Sequence, residues 1–514
     1  MTLPARATGL GSWPERASRK ASQRPAIIFG DRTTTYGELA SRVMRLAHVL
    51  RAGGVHAGAR VAYLGANHPA LLESLFATAT LGAIFVPLNA RLSAPEIDFM
   101  LGDSGSSVLM YGASCAGIVD ALDAATCPSL IAVDRGDSAG LDYEIALADA
   151  DVTPIREVID LDAPCMIMYT SGTTGRPKGA VLTHNNITWN CLNVIVDVDL
   201  RSDEVTLVTA PMFHTAALNM TCLPTLLKRG RLVIEPRFDP EAVIDVIQQR
   251  SVTLLFGVPT MFAALTESPR WASADLSSLR LLLCGGAPVP TSLITTYQER
   301  GLAFVQGYGM TETAPGALMV DPALGRQVAG AAGVAHFFTD VRLVHDDDAE
   351  AAPGEPGEVV IAGPNVMQRY WGRPDAMQQA FLDGDWFRSG DLAVADEDGV
   401  ITIVDRLKDV YISGGENVYP AEVEKALSDH PLVSEAAVIG VADDTWGEVG
   451  KAFVVPSPGA AVDVEQLTMY LRGRLAGYKI PRSFVFVDSL PHTGSGKVQK
   501  SHLPREETGD NNSQ

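Results

Sequence analysis

At 514 residues the chain is longer than one hydrophobic core usually supports, so two or more domains are expected. Its 40 Lys plus Arg against 61 Asp plus Glu leave a net charge of −21, which counts against nucleic acid or an anionic membrane surface as a partner. The opening residues contain no signal-like apolar run and no stretch approaches ~18 consecutive apolar residues, so export and membrane spanning are disfavoured and a cytoplasmic protein is expected.

In chain order, Thr35 and Glu38 form a capping box for a helix whose Leu39, Val43, Leu46 and Leu50 share one face, ended by Gly53 and Gly54. VAYLG at residues 61–65 is a strand. The strand-like runs CMIMY (165–169) and AVL (180–182) then flank the most informative segment, YTSGTTGRPKGAVLTH at residues 169–184. Gly172, Gly175 and Gly179 let backbone approach phosphate oxygens, Thr170, Ser171, Thr173 and Thr174 add hydroxyls, and Lys178 adds a compact charge. The P-loop of NTPases requires Gly before the lysine and Ser or Thr after it, whereas here Pro177 precedes Lys178 and Gly179 follows.

Further along, Asp239 and Pro240 can start the helix EAVIDVIQQR, and VTLLFGVP and LRLLLCGGAP read as buried strands ending in glycine-rich turns. This alternation is α/β, with ligands expected at the strand ends. From residue 354 the pattern changes to short strands (EVVIAG, ITIVD), then to a helix at 421–427 and the strands AAVIGV, KAFVVP and RSFVFVD. A large domain over 1–406 and a small α+β domain over 407–514 are therefore expected, with a disordered polar tail at about 505–514. The six cysteines, Cys115, Cys127, Cys165, Cys191, Cys222 and Cys284, lack CxxC spacing and predict reduced, buried thiols.

Four more stretches recur at wide intervals: GYGMTET from Gly307, WFRSGDLA from Trp386, DRLKDVYISGGENVYP from Asp405 and TGSGKVQK from Thr493. With the first loop, in this order and over roughly residues 25–503, they resemble the adenylate-forming superfamily of acyl-CoA synthetases, aryl-CoA ligases, luciferases and peptide-synthetase adenylation domains. The resemblance implies a large α/β domain of layered sheets and helices with a small barrel-like part, plus a mobile C-terminal domain. It implies ATP, Mg²⁺ and CoA as cofactor and co-substrates, and a small carboxylic acid as the substrate. A homodimer is left open.

Carried onto matching positions, Tyr308 would lie on the adenine, with Gly307, Gly309 and Met310 around it, and Thr311 would bind the α-phosphate. Gly285, Gly286, Ala287 and Pro288 would border adenine and acyl group. Glu312, with Thr174, would hold Mg²⁺ on the triphosphate, because a hard cation takes one or two protein oxygens beside phosphate. Asp391 would accept both ribose hydroxyls beside Arg406. Lys497, expected to be exposed and mobile in its GSGK setting, would offset the repulsion between the attacking carboxylate and the α-phosphate. Lys408 matches the hinge, Gly414 and Gly415 would wall the pantetheine tunnel, and Trp446 reads equally as a wall or as plain core. His214 in PMFHTAAL resembles the residue that gates the acyl site, with a base role toward the CoA thiol as the other reading.

No aspartate near PMFH is placed to pair an amino-acid ammonium, and no carrier domain follows Lys497, which disfavours peptide synthetases. The pocket would draw on Met212, Val258, Pro259, Gly307, Gly309, Met310 and Pro315, which suit an alkyl chain or a phenyl ring and offer no evident donor for a phenol. The segments GLGSWPERAS and NHPALLESLFA resemble both fatty acyl-CoA ligases and feruloyl-CoA synthetases. Fatty acid is ranked ahead of hydroxycinnamate, followed by a silent nucleotide or acyl binder and a membrane-docked acyl handler.

Overall fold

The computed structural model describes residues 9–123, 127–134, 140–170, 177–322, 328–413, 416–443, 446–472, 474–493 and 497–505. By its contacts the chain divides into two compact units, Met1–Val341 with Ile361–Phe387, and Arg342–Val360 with Arg388–Gln514. The tail expected to be disordered lies outside the described residues from 506 onward.

The first unit is built on two large sheets. In the nine-stranded sheet the order is Val334–Ala335, Gly316–Met319, Phe304–Gly309, Leu281–Cys284, Leu254–Gly257, Val205–Val208, Arg231–Ile234, Pro25–Phe29 and Arg32–Thr35. Its central strands run parallel, with Leu255 opposite Leu282 and Leu283 opposite Val305. Both faces of those strands are covered, which is why they read as unbroken apolar runs rather than alternating ones. Helix Pro240–Arg250 supplies Val243, Ile244 and Ile247 to one covering layer, joined by Phe262, Leu265, Leu293 and Tyr297 from helices Pro259–Glu267 and Thr291–Glu299. Each such side chain contributes about 1.5–3 kcal/mol on burial. The Asp239 side chain caps helix Pro240–Arg250 by accepting the Ala242 N–H at 2.9 Å.

The eight-stranded sheet runs Arg369–Tyr370, Lys178–Thr183, Pro164–Thr170, Ile84–Leu88, Arg60–Leu64, Val108–Tyr111, Ser129–Ala132 and Leu141–Asp142. Helix Tyr36–Ala52 begins at the expected capping box, with Thr35 N–H donating to Glu38 at 2.7 Å and Glu38 N–H to the Thr35 hydroxyl at 3.2 Å. Helix Pro69–Thr80 is buried almost throughout, and its Glu73 is charge-paired by Arg42 at 2.7 Å and accepts the Tyr143 hydroxyl.

In the second unit, strands Glu416–Val418, Tyr411–Ser413, Gly447–Pro456 and Val433–Asp443 lie in that order, with Ser483–Phe486 also pairing Gly447–Pro456. Helices Pro420–Ser428 and Val464–Arg472 complete its core through Val423, Leu427, Leu467 and Leu471. The Tyr411 ring fits a slot that only glycine permits: a Cβ on Gly440 would lie 2.4 Å from Tyr411 Cβ, and one on Gly450 2.4 Å from its hydroxyl. The same unit carries the hairpin arm Ile401–Arg406, antiparallel to Trp386–Ala395 with Asp391 directly opposite Arg406. All six cysteines are free, and Cys127 alone among them is half-buried rather than buried as expected. Among the described residues no helix is long and apolar enough to cross a membrane.

Candidate active site

Three neighbouring strands of the nine-stranded sheet end at or immediately before a glycine, Gly257, Gly285 and Gly309, and those ends converge. Gly285 N–H donates to Gly257 O at 3.4 Å, and a Cβ on Gly285 would stand 2.9 Å from Gly307 O. Gly286 follows in the left-handed region at φ 88°, which keeps the turn open without a side chain. Gly286 and Pro288 are exposed and Ala287 half-buried, so this strand end presents backbone to solvent where a ligand is expected.

The strand Phe304–Gly309 carries the half-buried Tyr308 and leads into a short turn, Thr311–Thr313. The turn folds back tightly: Met310 N–H donates to Pro315 O at 3.0 Å, and a Cβ on Gly309 would fall 1.7 Å from that same oxygen. The fold therefore needs glycine at 309. Glu312 is buried in the turn, and its carboxylate accepts the Tyr370 hydroxyl at 2.8 Å while its backbone carbonyl accepts Met367 N–H at 2.6 Å.

Tyr370 belongs to the other sheet, where it faces Ala180 in register. Lys178 starts that neighbouring strand, and its ammonium lies 5.5 Å from the Tyr370 ring centroid. Burial, then the Glu312 charge, raise the Tyr370 phenol well above its ordinary pKa, so it remains a donor. Thr170 and Lys178 are antiparallel partners at the base of the glycine-rich hairpin. Ser171, Gly172, Thr173, Thr174 and Gly175 lie outside the described residues. Thus Lys178 and Glu312, separately identified from sequence, are brought together by a tyrosine that no motif singled out.

A second feature that sequence reasoning missed is an asparagine network behind the turn. Helix His184–Asp197 carries Asn186, Asn190 and Asn193, spaced as a solvated polar face would be, yet all three are buried. Asn190 accepts Gly316 N–H at 3.1 Å and donates to Asn219 O at 2.9 Å. Asn193 accepts Phe338 N–H at 2.8 Å and donates to the Thr339 hydroxyl at 3.0 Å. That hydroxyl donates to Asn365, whose amide donates to Thr313 O at 2.9 Å and Gly316 O at 2.8 Å. Buried polar groups that satisfy one another in this way fix a single geometry, and here the geometry is that of residues 310–316.

Of the residues expected from sequence to form the acyl pocket, Met212 is fully buried with its N–H donating to Asn67 at 2.8 Å. Pro259 is buried and Val258 half-buried. His214 lies against Phe213 with ring centroids 4.6 Å apart and planes tilted by 56°, and its Nε2 has no hydrogen-bond partner among the described residues. Burial, then the charge of Arg91, push its pKa down to about 4, so the imidazole is neutral at physiological pH. A π-helical turn, Leu218–Cys222, interrupts the helical segment that follows, a feature frequent at functional sites.

In the second unit, Arg406 pairs with the buried Asp391 at 3.1 Å. Glu358 braces the turn ahead of Asp391 by accepting Gly390 N–H at 3.0 Å and Arg388 at 2.5 Å. Lys497 sits in the same neighbourhood, its N–H donating to the Thr493 hydroxyl at 3.1 Å and its carbonyl accepting Thr493 N–H at 2.7 Å. It is half-buried, not exposed as its GSGK setting implied. Burial, followed by the charge of Arg406, pushes the Lys497 pKa down to about 8, with Asp391 acting in the opposite direction. Lys408 is exposed on the turn after Arg406. Trp446 is 39% exposed with the Arg482 guanidinium 5.4 Å from its ring, which removes the plain-core reading. Gly414 and Gly415 lie outside the described residues.

Comparison with known proteins identifies the family. The chain matches the AMP-binding enzyme family over residues 14–371 and the AMP-binding enzyme C-terminal domain over residues 422–497. It is 56% identical over 497 residues to a feruloyl-CoA synthase of an Amycolatopsis species, covering 97% of this chain and 99% of that one. It is 39% identical over 469 residues to the long-chain-fatty-acid–CoA ligase FadD13 of Mycobacterium tuberculosis, covering 91% and 92%. Among solved structures it is similar to the o-succinylbenzoate CoA synthetase of Bacillus subtilis in complex with ATP and magnesium ion, with a TM-score of 0.84 and 32% identity over 96% of this chain and 99% of that one. A large α/β domain and a small C-terminal domain in the adenylate-forming fold, matched along nearly their whole length, place this chain in the AMP-binding enzyme family as an AMP-forming acid–CoA ligase.

Proposed function

We propose that this ligase activates a hydroxycinnamic acid, ferulate or a close relative, in place of the fatty acid ranked first from sequence. The supporting observation is the 56% identity to a feruloyl-CoA synthase, against 39% to the fatty-acid ligase, over nearly the full chain in both comparisons. The apolar residues around the acyl side fit a phenylpropenoid as well as an alkyl chain, so pocket chemistry alone does not separate the two.

In the first half-reaction, a carboxylate oxygen of the acid attacks the α-phosphorus of ATP, the bond to the β-phosphate breaks, and pyrophosphate leaves with its electron pair. Thr170, Lys178 and the hydroxyls of Ser171, Thr173 and Thr174 hold the phosphates, Tyr308 covers the adenine between Gly286 and Gly309, and Thr311 binds the α-phosphate. Asp391 accepts the ribose hydroxyls with Arg406 holding it in place. Lys497 supplies positive charge between the two reacting anions, where its effect grows as charge builds on the α-phosphate oxygens. In the second half-reaction the thiolate sulfur of CoA attacks the acyl carbonyl carbon and AMP departs with the C–O electron pair. Gly414, Gly415 and Trp446 line the approach of the thiol, Lys408 is the hinge, and His214, neutral at this pH, closes the acyl site.

Glu312 suits Mg²⁺. It offers a buried, hydrogen-bonded carboxylate, and among the described residues no group of three metal-ligating side chains exists that would hold an ion without phosphate. Thr174 would share that ion, which when bound neutralises phosphate charge.

The reading is tested by incubating purified protein with ATP, Mg²⁺ and ferulate, without and then with CoA, and identifying products by mass spectrometry. Feruloyl-adenylate without CoA, and feruloyl-CoA plus AMP with it, is the expected result. Pyrophosphate release that needs a fatty acid and ignores ferulate overturns it.

A further inference from the structure

The two phosphate-side groups of the first unit, Lys178 and Glu312, lie on different sheets. Lys178 opens the strand Lys178–Thr183 of the eight-stranded sheet, and Glu312 sits in the turn that leaves the nine-stranded sheet. Their separation would ordinarily depend on how the two sheets pack. Tyr370 removes that freedom. Its backbone is held in register with Ala180, one strand position from the glycine that follows Lys178, and its hydroxyl reaches the Glu312 carboxylate at 2.8 Å. Its ring face is 5.5 Å from the Lys178 ammonium. Trp371 N–H donates to Gly179 O at 2.7 Å, and a Cβ on Gly179 would meet Trp371 Cβ at 3.4 Å, so the tyrosine's strand is pressed against the lysine's.

Resting on the reading of Glu312 as the magnesium carboxylate, we infer that Tyr370 is a positioning residue for the metal–triphosphate complex: its hydroxyl orients the Glu312 carboxylate toward the cation while its ring holds the Lys178 ammonium on the phosphate side. A carboxylate rotating freely about its last torsion must lose that freedom when it binds a metal. A carboxylate already fixed by a phenol has lost it beforehand. The ring works separately from the hydroxyl, because a cation over an aromatic face is attracted by the ring quadrupole whether or not an oxygen is attached. The two contributions can therefore be separated by substitution.

The test is equilibrium binding of α,β-methylene-ATP, which cannot be cleaved at the reacting bond, measured by titration calorimetry with and without Mg²⁺. Tyr370→Phe keeps the ring and loses the hydroxyl. It should weaken binding with Mg²⁺ by about tenfold, the scale of one hydrogen bond to a charged group, and leave metal-free binding unchanged. Tyr370→Ala should weaken both. In a Glu312→Gln background, Tyr370→Phe should add no further loss, because its partner charge is already gone. Full retention of the Mg²⁺ effect in Tyr370→Phe, or equal weakening with and without the metal, overturns the inference. If Glu312→Gln itself keeps the whole Mg²⁺ effect, the magnesium reading of Glu312 has failed, and the inference fails with it. A loss in Glu312→Gln with silence in Tyr370→Phe removes only the tyrosine's part.

Discussion

Lys497 gives the sharpest quantitative expectation. Its pKa, about 8 against an ordinary 10.5, amounts to roughly 2–3 kcal/mol held against the charged form once residual solvent screening is allowed for. The sign follows directly: below pH 8 the side chain is an ammonium and adenylation proceeds, and above pH 8 the neutral amine accumulates and adenylation is lost. When the triphosphate and acid bind, two anions favour the ammonium and raise its pKa. The pH profile of kcat/KM for ATP in pyrophosphate exchange reports the free enzyme, so it should bend near pH 8 and fall about tenfold per unit beyond, whereas the kcat profile should bend at least about one unit higher. Lys497→Arg should abolish the bend near 8, while a bend arising from the substrate phenol would persist in that variant. Lys497→Ala should lower adenylation by about two to three orders of magnitude while thioester formation from supplied acyl-adenylate is largely kept. A kcat/KM profile that stays flat to pH 10 in the wild type, or equal loss of both half-reactions in Lys497→Ala, refutes this reasoning.

Two further expectations concern the first unit. Gly309→Ala places a Cβ 1.7 Å from Pro315 O, so the turn bearing Glu312 must shift, with a cost of about 1–3 kcal/mol in thermal unfolding and at least about a tenfold fall in kcat/KM for ATP. Gly102→Ala is the matched control: nothing lies within 4 Å of its added Cβ inside helix Ala94–Ser104, and it should stabilise by about 0.4–1 kcal/mol with activity unchanged. For His214, a pKa near 4 means that it is already neutral at pH 6, so any acidic limb between pH 6 and 7 in thioester formation belongs to another group. His214→Gln should slow the reaction but leave that limb where it is, and disappearance of the limb would restore the general-base reading.

The motifs themselves were legible because each pairs a required backbone feature with a required charge. Gly309 is followed by Glu312, and Asp391 lies opposite Arg406 in one antiparallel ladder. The α/β layering was equally legible from the apolar runs at Leu254–Gly257 and Leu281–Cys284. Tyr370 was not, since it sits on a two-residue strand and acquires meaning only when that strand pairs with Lys178–Thr183 and its hydroxyl reaches a turn leaving another sheet. The asparagine network was hidden for a related reason. The spacing of Asn186, Asn190 and Asn193 cannot distinguish a polar face in water from one that meets backbone groups of residues 316, 338 and 364–366. Lys497 was misplaced toward solvent because a glycine-rich setting was read as exposure, although its backbone N–H is bonded to the Thr493 hydroxyl. Acid preference was illegible because methionine, valine and proline pack equally well on an alkyl chain and on a ring.

The most direct test of the proposed specificity is the ratio of kcat/KM for ferulate to that for dodecanoate, measured as CoA-thioester formation at saturating ATP, Mg²⁺ and CoA. A ratio of about a hundred or more is expected if the pocket is shaped for a phenylpropenoid. A ratio below one, with dodecanoate the better substrate, would contradict it and return the enzyme to fatty-acid activation.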